Sequence, residues 1–192
     1  MSESKNQAAS YQNQFLIAMP SMTDPHFAGG VTLICEHNDD GALGIVVNRK
    51  ADAITVGDIF DQLKLKPHHP HIASMPAYWG GPVARERGFV LHDGDADWES
   101  SIAVESGLCI TSSRDILEAI AAGTGPDHWL FALGYAGWEK GQLEEEMVGD
   151  AWLMAPSNKE IIFSMPIEHR LRAAASEAGI DFSRLAITSG HA

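Results

Sequence analysis

The sequence predicts one compact α/β domain of the α+β kind, a mixed sheet with helices packed on it. Three observations lead there. Short apolar runs punctuated by glycine, proline and Asn/Asp turns fill the first half, which is how hairpins are written. In the second half helical patterns alternate with apolar runs, as strand–helix–strand crossovers require. The chain has 192 residues, enough to bury one sizeable core, and shows no internal repeat or heptad pattern.

Residues 1–13 are polar and read as a disordered leader, so the domain is expected over 14–192. The apolar run 15–19, stopped by Pro20, reads as a central strand. A polar turn containing Asp24-Pro25 and a break at Gly29-Gly30 precede a β-rich run at 31–35. The turn Asn38-Asp39-Asp40-Gly41 then predicts an antiparallel partner over 42–48. Thr55, with Asp58 three residues on, caps a helix whose Ile59, Phe60 and Leu63 share one face. A loop at 67–71 (PHHPH) leads to a glycine–aromatic segment at 78–83 and a strand at 88–92.

Short strands are expected at 101–104 and 108–111, split by Ser106-Gly107. Ser112 or Ser113 caps a helix with an Ile116, Leu117, Ile120 stripe, closed by Gly123. The run 128–133 enters Gly134-Tyr135-Ala136-Gly137-Trp138 as a buried strand running into a glycine turn, and a short acidic helix leaves it. Strands at 151–154 and 160–163 are expected around a turn at Asn158. Pro166 opens a final helix with Ile167, Leu171 and Ala174 facing inward and Gly179 as its stop.

Composition narrows function. Against 13 Lys+Arg stand 26 Asp+Glu, a net charge of −13. Such a surface repels phosphate backbones and anionic bilayers, so neither nucleic acid nor membrane is an expected partner. No apolar run is long enough for a bilayer and no apolar leader begins the sequence, so the expected location is cytoplasmic. Cys35 and Cys109 are far apart and each lies in an apolar run, which suits buried thiols in a reducing compartment. His68, His69 and His71 are interrupted by Pro70 and read as loop residues, not metal ligands. Cys35 and His37 lie two apart, yet lack the third group a nucleophilic pair needs. There is no nucleophile elbow, phosphate-binding loop or dinucleotide fingerprint, and neither a cofactor nor a metal is expected. Glu144, Glu145 and Glu146 occupy consecutive helical positions, fan out around the axis, and read as a solvated face.

The two glycine–aromatic segments remain. Glycine lets backbone N–H groups approach a ligand, and Trp or Tyr can stack on a planar one. With polar neighbours they compose a candidate cleft of Asp24, Asn48, Arg49, Tyr78, Trp79, Gly80, Gly81, Tyr135, Gly137 and Trp138. The competing reading is tight packing between strands.

Seven blocks also match a known family in order: FLIAMPSMTDPHF (15–27), ICEHNDDGALGIVVNR (34–49), GGPV (80–83), RGFVLH (87–92), TSSRDILEAIAAG (111–123), GYAGWEKGQLEEE (134–146) and GHA (190–192). Over 14–192 the chain resembles the YqgE/AlgH family of bacterial proteins. Lys50 stands where that family often has Pro, and Leu171 where Trp is common. The resemblance implies a sheet curled into a partial barrel. It also implies an uncharacterised activity, with a transcriptional-regulator label that no DNA-binding motif here supports. The expected function is therefore a small-molecule or peptide binding protein with a regulatory role. The alternatives are a hydrolase or transferase using Asp24, His92 or Glu139 as acid/base, and a protein partner of the transcription machinery.

Overall fold

The computed structural model describes residues 9–188. Among the described residues ten strands form one sheet with a central path β10-β1-β2-β3-β9-β6-β8-β7. The strands are β1 (Gln14–Ala18), β2 (Val31–Asn38), β3 (Gly41–Val46), β4 (Lys50–Thr55), β5 (Pro76–Trp79), β6 (Val83–Asp93), β7 (Ser101–Glu105), β8 (Leu108–Thr111), β9 (Trp129–Glu139) and β10 (Trp152–Pro156). All neighbours pair antiparallel except β5, which runs parallel to β9 and carries β4 on its other side. The expected α+β domain with a mixed, curled sheet is thus what the chain forms.

Curvature is visible in one side chain. Gln12 Nε2 donates to Cys35 O on β2 at 3.1 Å and to Ala103 O on β7 at 3.2 Å. These strands are remote in the sheet order, so the sheet rolls into a half-barrel that brings them together. The same contacts correct the leader's boundary. Tyr11 stacks on His37 at 4.9 Å, and Asn13 Nδ2 donates to Ser106 Oγ, so residues 10–13 are held in place. Residues 1–8, and the GHA block at 190–192, lie outside the described residues.

Both faces of the sheet are covered, which explains why its central strands read as continuous apolar runs. Phe15, Ile17, Leu33, Ile45, Leu91 and Leu130 fill the barrel interior. On the outside, Phe60, Ile116 and Ile120 pack onto Val90 and Phe131 beneath α1 (Val56–Leu63) and α3 (Arg114–Ala122). Further along, Leu16, Ile34, Trp138 and Trp152 pack with Leu143 of α4 (Gln142–Val148).

Several expectations shift. The segment 134–139 is not a turn: β9 runs on through it to Glu139. Gly134, at φ +73°, flips the side-chain alternation. Leu130 and Ala132 face the barrel interior, yet beyond the glycine it is Tyr135 that packs there while Ala136 and Trp138 face outward. Residues 160–163 form a helix, α5 (Lys159–Phe163), because Asn158 Oδ1 accepts from Glu160 N at 2.9 Å and caps it. The PHHPH loop ends in a short helix, α2 (Pro70–Ser74), with Pro70 at its first position. Neither β4 nor α7 (Phe182–Thr188) was expected from the sequence, whereas α6 (Ile167–Glu177) follows Pro166 as predicted.

Candidate functional site

A concavity lies between α1 and α3 over the outer face of the sheet. Its position is set by two helix starts. Thr55 and Asp58 form a reciprocal capping box: Asp58 Oδ2 accepts from Thr55 N at 2.7 Å, and Thr55 Oγ1 accepts from Asp58 N. Those bonds from Thr55 hold the Asp58 carboxyl below its ordinary range. At α3, Asp115 accepts from Glu99 N and Ser113 from Ser100 N, which pins the helix start to the preceding loop. Arg114 Nη2 then donates to Leu63 O at 2.9 Å, joining the end of α1 to the start of α3.

Between the helices is a cleft of about 510 Å³. Val90, Phe131 and Leu133 make its floor, and Ile59, Leu63 and Leu117 its walls. Gly88 makes room for the floor, since a Cβ there would meet the Phe131 ring at 2.7 Å. At the rim the Arg85 guanidinium lies 4.0 Å over the Trp79 ring. Among the described residues Arg85 has no hydrogen bond or ion pair, so its donor fork is available beside an apolar hollow. The arrangement suits an apolar body with an anionic group.

The sequence-predicted cleft does not assemble as one site. Trp79 lines this cleft, but Tyr78, the next residue on the strand, points the other way into the barrel interior. Asn48 and Arg49 are braces. Asn48 Oδ1 accepts from Val31 N and its Nδ2 donates to Gly29 O, while Arg49 donates to Pro25 O and, at 2.7 Å, to Ala28 O. Asp24 accepts from His26 N within the loop they brace. Gly80 and Gly81 pack against β9, where any Cβ would collide with the backbone of Gly134 or Tyr135. Tyr135, Gly137 and Trp138 line a separate, open groove along β3 and β9, with Leu43 and Val83 beside them and Glu36, Asp40 and Glu139 at its edges.

The acid/base candidates also stand apart. His92 is fully buried and bonded to Thr111 Oγ1, Asp24 shapes a turn, and Glu139 borders the β3–β9 groove. Glu144, Glu145 and Glu146 are not a uniform solvated face. Glu144 bonds His37 Nε2 at 2.7 Å, Glu146 accepts from two tryptophans, and only Glu145 is exposed. Burial pushes both cysteine thiols up from their ordinary value, which keeps them protonated and unreactive.

Sequence reasoning passed over Arg85. The available signal was the pair Arg85 and Arg87, two residues apart in a strongly acidic chain and just before Gly88 and the apolar run FVL.

The family model described as AlgH-like matches residues 15–183. The chain belongs to the AlgH-like family. It is 52% identical over 180 residues to a UPF0301 protein of Cupriavidus metallidurans, covering 94% of each chain, and 51% identical over 181 residues to one of Hahella chejuensis, covering 94% and 96%. Among solved structures it is similar to the AlgH protein of Pseudomonas aeruginosa, with a TM-score of 0.78 and 44% identity over all of both chains. A protein of Corynebacterium diphtheriae, at 20% identity and a TM-score of 0.66 over 96% and 93% of the two chains, shares the fold. No helix among the described residues is long and apolar enough to cross a membrane.

Proposed function

We propose that the chain is a binding protein whose α1–α3 cleft takes a small molecule with an apolar body and an anionic group. One observation carries this: the Arg85 fork, stacked on Trp79 with no carboxylate partner among the described residues, at the mouth of an apolar hollow of about 510 Å³. Asp58 and Glu86 also line the cleft, but Asp58 is taken up by its bonds to Thr55, and the Arg85 fork, unpaired among the described residues, is where an anionic group would be held. The test is ligand-observed NMR with medium-chain and aryl carboxylates beside the matching alcohols, followed by amide shift mapping. Carboxylates are expected to shift Trp79, Leu117 and Phe131, and the alcohols to bind about tenfold more weakly. Arg85→Ala should remove that preference without altering the melting temperature, since Arg85 is exposed. Shifts confined to another region, or equal affinity for acid and alcohol, would overturn the reading.

A second reading, a protein partner of regulatory kind, is favoured by the open β3–β9 groove. Its Leu43, Val83 and Tyr135 sit among Glu36, Asp40 and Glu139, which matches a basic segment of another protein. Pull-down with the wild type and with Glu139→Lys separates the two. A partner that docks there is lost from the variant, while carboxylate binding in the α1–α3 cleft is unchanged.

A further inference from the structure

Arg170 on α6 is buried, only 4% exposed. Its Nε donates to Met165 O at 2.9 Å and its Nη1 to Val47 O at 2.6 Å. Both acceptors are neutral carbonyls, and no carboxylate among the described residues pairs with it. A guanidinium presents five N–H donors and cannot shed its charge, so a buried one without a counter-charge is costly. The guanidinium also lies 5.3 Å from the centre of the Tyr78 ring, a contact that only partly offsets that cost.

Beside Arg170 is a small cavity of about 50 Å³. Its polar side chains are Arg170, the Tyr78 phenol and the Trp129 indole, and Met75, Ile162 and Phe163 are among the apolar ones. Arg and Trp side chains can only donate hydrogen bonds, and a phenol donates readily. No carboxylate, amide or imidazole side chain is among the residues that line the space. A hollow that sets a buried cation, without a carboxylate partner among the described residues, against apolar walls suits an anion.

We propose that this cavity is a binding site for a small monovalent anion of halide size, held by the Arg170 guanidinium. The volume admits a desolvated halide, and the apolar walls favour one charge over a multiply charged, strongly hydrated oxyanion. The anion supplies the counter-charge that the Arg170 guanidinium lacks where it meets Val47 O, just past the end of β3. The site shares Phe131 with the α1–α3 cleft, but Arg170, Tyr78 and Ile162 line this cavity and not that cleft, and it does not depend on that cleft binding anything.

The test uses the full chain at fixed ionic strength, with gluconate, too bulky for the cavity, replaced stepwise by chloride or bromide. Melting temperature is expected to rise by a few degrees and to saturate, as a site linked to the folded state requires. A crystal grown in bromide is expected to show anomalous density within hydrogen-bond reach of Arg170. Arg170→Lys, which keeps the charge but loses the fork, should weaken the halide midpoint by about tenfold. Should that variant fail to fold, the wild-type bromide density decides. Equal melting temperatures in gluconate and chloride, or a bromide crystal with no density in the cavity, would overturn the proposal.

Discussion

The carbonyl oxygen of Gly81 lies 2.5 Å from where a Cβ on Gly134 would stand. The two glycine–aromatic segments therefore meet back to back as a backbone joint. Gly80 N donates to Leu133 O at 2.8 Å and Gly80 O accepts from Val46 N at 2.8 Å, so one residue ties β9 to the end of β3. At this joint β9 changes neighbours from β5 to β3, and the positive φ of Gly134 makes the change possible. Gly134→Ala combines an unfavourable backbone conformation, about 1–3 kcal/mol, with a collision that cannot relax into a side chain. It is expected to abolish cooperative unfolding or to lower the melting temperature severely. Gly141→Ala is the control: it also has positive φ, but no atom stands within 4 Å, so its loss should be the conformational part alone. Melting curves of equal midpoint for the two variants would refute the joint.

Glu146 holds two indoles with one oxygen. Trp138 Nε1 and Trp152 Nε1 each donate to Oε2 at 2.9 Å, and Gln142 Nε2 donates to Oε1 at 3.0 Å. Both tryptophans are nearly buried, so Glu146→Leu strands two indole N–H groups at about 1–3 kcal/mol each. Glu146→Gln keeps an acceptor and should lose less. Urea unfolding followed by tryptophan emission measures the ranking wild type, Gln, Leu. A Leu variant as stable as the wild type would mean that water replaces the carboxylate.

What the sequence revealed here was local, and what it hid was non-local. The capping box of Thr55 and Asp58, the Gly123 stop and the hairpin turn at 38–41 depend on a few adjacent residues, and each formed as expected. The strand through Gly134 was misread because Gly134, Gly137 and Gly141, three glycines within eight residues, look like a turn until β3, β5 and β6 are placed around them. Residues 160–163 were misread because two adjacent isoleucines fit a buried strand, and only the Asn158 cap decides for helix. The cleft failed similarly. Tyr78 and Trp79 are neighbours in sequence, but alternation on a strand sends them to opposite faces, and no local pattern announces that Arg85 will stack on one of them.

Thr32 carries a removable burden. The residue is fully buried on β2, and its Oγ1 has no hydrogen-bond partner among the described residues. Its Cγ2 packs beneath Gly44, so the methyl is already well used. Valine has the same shape without the hydroxyl. Thr32→Val is therefore expected to stabilise the fold by about 1 kcal/mol, which for a chain of this size raises the melting temperature by about 2–4 °C. Calorimetry of the variant checks this, and a lower melting temperature would show that the hydroxyl is satisfied.

His92 gives the fold a pH dependence whose sign follows from its hydrogen bonds. The imidazole is fully buried. Asp93 O, which can only accept, lies 2.9 Å from Nδ1, so Nδ1 carries the proton and Nε2 accepts from Thr111 Oγ1 at 2.8 Å. Ser101 Oγ can then donate to Thr111 Oγ1 at 2.6 Å, which completes a hydrogen-bonded chain for the neutral imidazole. Burial lowers its pKa below the ordinary 6.5, against the opposing pull of Asp93. On acidification the unfolded chain takes up this proton near 6.5 while the folded chain refuses it until a lower pH. The unfolded state then binds more protons, and stability falls as pH drops from 6.5 toward the folded value. The depressed carboxylates Asp93 and Glu144 act in the same direction but in a lower window, beneath their ordinary 3.8 and 4.5. Urea midpoints of the wild type and His92→Gln between about pH 8 and pH 5 separate these contributions. The variant is expected to be less stable at the alkaline end and to lose less on acidification, so the curves converge. Parallel curves would show that His92 takes up its proton in the folded protein at no cost.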